Sequence, residues 1–115
     1  MYTMNVGEAD WEEVYPGVRR WTASGQRMTL TFYRFAPGAT FPLHHHAQEQ
    51  IAVVLRGWVV FHNAATRVTC RPRQVMVIPP DEPHAAMAGD EGAEVASIVA
   101  PARRGADDVV VGEPR

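Results

Sequence analysis

Between Pro37 and Ile51 the chain reads Gly38-Ala39-Thr40-Phe41-Pro42-Leu43-His44-His45-His46-Ala47-Gln48-Glu49-Gln50, and Gly57 follows seven residues later. Three consecutive histidines flanked by Pro-Gly turn chemistry and the apolar run Ile51 to Leu55 belong to a folded strand, not to a tag. Side chains alternate faces along an extended strand, so His44 and His46 share one side and His45 takes the other. Two imidazoles on one face lie about 7 Å apart along the strand and converge on one ion when the strand twists. A lone histidine on an apolar face is most often a hydrogen-bonded core residue. A same-face pair with another histidine downstream points instead to a metal. That residue is His84, in Ile78-Pro79-Pro80-Asp81-Glu82-Pro83-His84, where the prolines hold the chain extended and deliver His84 to the start of a strand.

Outside this stretch the pattern is all-β. Glycine and proline number nine each and fall between short apolar runs, as in a sandwich or barrel. The strands expected are Val18 to Ala23, Met28 to Phe35, Gln50 to Leu55, Val59 to Asn63, Thr66 to Cys70, Val75 to Ile78, His84 to Met87 and Glu94 to Val99. Gly25, Pro37-Gly38, Gly57, Arg71-Pro72-Arg73 and Gly89-Asp90-Glu91-Gly92 supply the expected breaks. Residues 1–12 read as an N-terminal arm with room for one helical turn around Glu8 to Glu13, and 105–115 as a C-terminal tail. Val109 to Val111 has the composition of an edge strand, although the surrounding Asp, Gly and Pro argue against one.

A chain of 115 residues supports one domain, expected over 1–115 with its barrel from about 15 to 101. With 46% hydrophobic and 21% charged residues it reads as an ordinary globular protein. A formal charge of -2 and no basic stripe give no reason to expect nucleic acid or an anionic membrane as partner. The acidic start lacks the cationic and apolar segments of a signal peptide, and no apolar run is long enough to span a membrane. One cysteine, Cys70, allows no internal disulfide and suits a reducing compartment, so a cytoplasmic location is expected. Cys70 itself reads as a buried or half-buried strand residue.

The spacing Gly38, His44-x-His46, Gln50, Gly57 resembles the first motif of the cupins, with Gln50 where many members carry Glu. Pro79 to His84 resembles the second motif, although the family often has glycine where Arg73 and Asp81 stand, and asparagine at Ala88. The resemblance implies a double-stranded β-helix, a jelly roll of two packed sheets, with a metal inside one end. The ligands it implies are His44, His46, Gln50 and His84 around one divalent ion, and nickel, iron(II), manganese, cobalt and zinc are all admissible. Three neutral imidazoles and an amide oxygen leave the double charge intact, so the site should favour an anionic small-molecule substrate. Without a metal, Gln50 would be a polar strand residue hydrogen-bonded near the barrel mouth. Glu49 and His45 point to the opposite face. His62 reads as a packed residue. Arg19 and Arg20 read as a solvated edge, with a clamp on a substrate carboxylate as the alternative.

Within the cupins the closer likeness is to the small KdgF-type members of pectin and alginate breakdown, which help convert a 4,5-unsaturated uronate to its open-chain keto form. Gly17-Val18-Arg19-Arg20, Gly38-Ala39, His44-His45-His46, Glu49-Gln50-Ile51 and Pro101-x-Arg103 carry it. Where that type places an acid and, two residues on, an aromatic, this chain has Ser97 and Val99; Arg103 is kept as the cation for catalysis. The readings that follow are a metal-dependent lyase, isomerase or cyclase, an iron(II) oxygenase, and a non-catalytic ligand-binding barrel. A homodimer is also implied by the resemblance, with Trp11, Tyr15 and Trp21 as either its interface or plain core. Met28, Tyr33, Phe35, Phe41, Met76 and Met87 read mostly as ordinary core, with an apolar lining of the barrel mouth as the alternative.

Overall fold

β-Branched and aromatic residues are frequent in the segments between the turns, notably Thr29–Phe35 and Val75–Ile78, and the computed structural model, which describes residues 1–105 and 108–112, is built of strands. After a 3-10 turn at Glu8–Asp10 come β1 (Glu12–Tyr15), β2 (Val18–Ser24), β3 (Thr29–Phe35), β4 (Thr40–His46) and β5 (Glu49–His62). β6 (Arg67–Cys70), β7 (Val75–Ile78), β8 (His84–Ala100) and β9 (Val109–Val111) complete the order. The strands run β1-β2-β3-β8-β4-β9, and β5 pairs with β6, β7 and β8, which is the curled, two-layered path of a double-stranded β-helix.

The long pair β5–β8 organises the rest. It runs antiparallel from Glu49 opposite Ala100 to His62 opposite Ala85, with register shifts at Val54/Arg56 and Gly57/Val59. Here the expected breaks at Gly57 and at Gly89–Gly92 are corrected. The chain bends at these points without leaving the sheet, because Gly57 and Gly92 take positive φ of 70° and 77°. A Cβ on Gly57 would run into the Gly92 carbonyl, so the two bends nest against each other. Each long strand thereby passes from one layer to the other, and four expected strands merge into two.

The layers enclose Val18, Phe35, Phe41, Ala52, Val54, Val59, Phe61, Cys70, Ile78 and Val95. Burial pushes the Cys70 thiol up from its ordinary pKa. Trp11 and Trp21 are only 9% and 8% exposed, so they belong to the packing of this one chain. Glu12–Tyr15 pairs with β2, so the sheet begins at the end of the segment read as an arm. Val109–Val111 pairs with His44–His46 and forms the edge strand that its neighbours in sequence argued against. Among the described residues no helix is long and apolar enough to cross a membrane.

On the outer side of the sheet two full rows are apolar. Across β7, β5, β8, β3 and β2, Val77, Ile51, Ile98, Leu30 and Ala23 stand opposite one another, as do Val75, Val53, Ala96, Phe32 and Trp21. A solvated antiparallel face normally alternates to polar residues at such positions.

Candidate metal centre

Strand alternation brings His44 and His46 to one face of β4, and the β4–β8 register sets His84 directly opposite His44. The ring centroids of His44 and His84 are 4.1 Å apart, those of His46 and His84 5.1 Å, and those of His44 and His46 5.7 Å. One nitrogen from each ring falls within 4.8 Å of the others, a group able to hold a metal ion.

The backbone fixes which nitrogen faces inward. His44 Nδ1–H donates to the Pro42 carbonyl (2.8 Å), His46 Nδ1–H to that of Gln48 (2.9 Å) and His84 Nδ1–H to that of Glu82 (2.8 Å). Each acceptor lies two residues from its ring, so the local turn holds the tautomer and presents an Nε2 lone pair to the centre. His84 Nε2 is buried and has no hydrogen-bond partner. His46 Nε2 lies 3.0 Å from Gln50 Oε1, which sets two acceptors face to face once His46 carries its proton on Nδ1. Gln50 Nε2 meanwhile donates to Ser97 Oγ (3.2 Å), which holds the amide oxygen towards His46. Orphaned and opposed lone pairs around one point fit a cation, and the residues present suit a divalent metal.

Electrostatics agree. Burial, reinforced by the neighbouring His84, lowers His44 to a pKa of about 3. Burial lowers His84 to about 4, with His46 and the Arg103 guanidinium adding to it. His46 is lowered by burial and then by Arg103. All three are neutral near pH 7, the form a metal ligand needs.

His44 and His84 open into a small cavity of about 30 Å³ lined by Tyr33, Phe35, Phe41, His44, Gln50, Phe61, His84, Ala86, Val95, Ser97 and Arg103. Sequence reasoning named His44, Gln50, His84, Ser97, Arg103, Tyr33, Phe35 and Phe41, and the structure brings these together. Met28 does not join them: it is 53% exposed. Met76 and Met87 are half-buried and lie off this cavity. Glu49 is exposed, His45 is paired back to back with Val110 of β9, and His62 lines a separate groove beside Asn63. Phe61 was missed. Inward positions on β5 are even-numbered up to Val54 and odd-numbered at Val59 and Phe61, because the bulges around Gly57 shift the register. The glycine in the motif was the available signal.

An all-β jelly roll with a three-histidine cluster inside one end defines a cupin-type barrel. Residues 31–99, more than half of the chain, match the family described as Cupin domain, and the chain belongs to that family. Among solved structures it is similar to KdgF from Halomonas sp., with 27% identity over 83% of this chain and 89% of that one and a TM-score of 0.75. The polyketide cyclase RemF from Streptomyces resistomycificus shares 18% identity over 99% and 88% of the two chains, at a TM-score of 0.77. An RmlC-like cupin from Shewanella frigidimarina shares 20% over 90% and 95%, at 0.79. The last two likenesses speak to the fold alone. No curated protein matches the chain.

Proposed function

We propose that this single-domain cupin is a cytoplasmic metal-dependent enzyme of the lyase, isomerase or cyclase type. His44, His46, His84 and Gln50 hold one divalent ion, and the substrate is a small anionic carbonyl or enol compound. The observation that carries it is the convergence of three Nε2 lone pairs, each tautomer fixed by a backbone carbonyl, beside an amide oxygen with no proton of its own. Bound there, a divalent ion supplies Lewis-acid polarisation of a substrate oxygen. The chain's own residues do the rest. Arg103 lines the cavity as a cation for a carboxylate or enolate, and the Phe35, Phe41 and Phe61 wall excludes water. Ser97, already accepting from Gln50, stands where KdgF-type members place an acid, so Tyr33 is the lining residue suited to move a proton through its phenol.

The test begins with metal analysis of protein purified without a histidine-binding column. One equivalent of a divalent metal is expected, and its full retention in His84→Ala would sink the site. The loaded protein is then incubated with a 4,5-unsaturated galacturonate while loss of the ring alkene is followed. Metal-dependent conversion, slowed about 10²-fold or more by Tyr33→Phe with metal content unchanged, supports both the class and the proton donor.

An iron(II) dioxygenase is the second reading, and one observation favours it. Among the described residues lining the cavity there is no carboxylate, and oxygen chemistry needs no protein acid. Turnover lost without oxygen selects it. A ligand released unchanged would make the barrel a binder. We further assign a homodimer to this chain, formed through the exposed part of the apolar outer rows (Ile51, Val75, Val77 and Ile98) and not through Trp11 or through Trp21, which ends one row but is already buried within the chain.

A further inference from the structure

Arg103 belongs to two walls. Besides the histidine cavity it lines a cleft of about 280 Å³ together with Arg20, Thr22, Ser24 and Thr31. Register makes the two spaces neighbours: Ser97, in the cavity, stands opposite Thr31, and Thr31 opposite Thr22. One strand spacing, ~5 Å, therefore separates Ser97 on the wall of one from Thr31 on the wall of the other.

The composition of this strip is unusual for the concave side of a barrel. Where apolar residues would extend the core, Thr22, Ser24, Thr29 and Thr31 carry hydroxyls on one face of β2 and β3. They are held in place: Ser24 Oγ and Thr29 Oγ1 are 2.8 Å apart, Thr22 and Thr31 Oγ1 3.4 Å, and the Arg103 backbone N–H donates to Thr29 Oγ1 (2.9 Å). Arg103 Nε is buried without a hydrogen-bond partner, a donor set between cavity and cleft. On the far side Glu12 Oε1 accepts from Arg20 Nε (2.9 Å) and offsets part of that guanidinium's charge at the cleft wall. Two cations against one carboxylate, with hydroxyls between them, form a cradle for oxygen-rich anions.

We propose that this cleft is a second subsite, which binds a carboxylate or phosphate on the part of the substrate remote from the histidines. It rests on the histidine cavity being the reaction site. The substrate is then an oxygenated compound with an anionic group several atoms from its reacting carbonyl or enol, and Arg20 acts as a specificity residue.

The test uses the full metal-free chain, so that it does not depend on the ion. Amide spectra are followed during titration with inorganic phosphate, D-gluconate and D-glucarate, the last two differing at one terminus, hydroxymethyl against carboxylate. Saturable shifts are expected at the amides of Arg20, Thr22 and Thr31. Arg20→Gln should weaken the best probe about tenfold or more. Glu12→Gln, which removes the competing carboxylate, should tighten it severalfold, a gain that a folding defect does not produce. Glucarate ahead of gluconate and phosphate assigns the subsite to a substrate carboxylate; phosphate ahead of both assigns it to a phosphoryl group. No saturable shift at these amides with any probe, or affinities unmoved by both substitutions, overturns the proposal. Shifts at the cleft in a protein that takes up no metal would keep the subsite and remove only the histidine reading.

Discussion

An amide at position 50, where a carboxylate would cancel part of an ion's charge, would leave the whole double charge of a divalent ion held there to attract a substrate, as the proposed function requires. Gln50→Glu is therefore expected to keep or tighten the metal and to weaken an anionic substrate, with KM up about tenfold. Metal content and KM measured on the same preparation check both halves, and loss of the metal in this variant would contradict the placement of Oε1 beside His46. What was legible at this scale was parity: two histidines two apart on a strand must share a face, and they do. The locking of each tautomer was not legible, since the carbonyls of Pro42, Gln48 and Glu82 reach the rings only through local turns that the letters do not draw. Nor was the polar cleft, because Arg20 gains its meaning from Arg103, which is distant in sequence and adjacent in space.

At the scale of strands and turns the decisive quantity is backbone sign. Gly57 sits at φ 70°, where a Cβ would strike the Gly92 carbonyl, so Gly57→Ala combines left-handed strain with a backbone clash. A loss of about 2 kcal/mol or more is expected in urea unfolding. Arg73 and Asp81 occupy the same left-handed region, at φ 72° and 65°, at the two positions where cupins often carry glycine. Arg73→Gly should then be neutral or stabilising by up to about 1 kcal/mol, the opposite sign to an ordinary loop glycine. A clear loss of stability there would show that the Arg73 side chain makes contacts worth more than the strain. Apart from β1, strand existence was readable from the apolar runs and the histidine motif, but strand continuity was not. A glycine that ends a strand and one that bends it look alike in sequence, and only the nesting of Gly57 against Gly92 separates them. The edge strand β9 has polar neighbours that disfavour it in sequence, yet its pairing with β4 and the bond from Gly112 N–H to the Leu43 carbonyl (2.8 Å) hold it.

For the whole molecule, acid is the first probe. His44 and His84 are buried neutral, with pKa values lowered from 6.5 to about 3 and about 4. The unfolded chain takes up their protons first, so the stability they contribute is complete above about pH 6.5 and drains away as pH falls towards 4 and 3. Urea midpoints of the metal-free chain should drop through that window. Added divalent metal, which competes for the same nitrogens, should move the drop to lower pH. The second probe is assembly. On the outer sheet face Ile51, Val75, Val77 and Ile98 are each 43–56% exposed, in rows that contain no polar residue from β7 to β2. Monomers rarely expose a contiguous apolar patch beyond a few hundred Å². A two-fold dimer that buries ~800 Å² per partner would cover this one. Trp11, and Trp21 at the end of one of these rows, add little to that face, because each is already packed within the chain. The expected outcome is a dimer in analytical ultracentrifugation at micromolar concentration, with Ile51→Lys combined with Ile98→Lys converting it to a folded monomer of unchanged metal content. Trp11→Ala should instead lower stability without changing the dimer constant of the molecules that remain folded. A native chain that sediments as a monomer at about 100 µM would leave the apolar rows without a role in self-association.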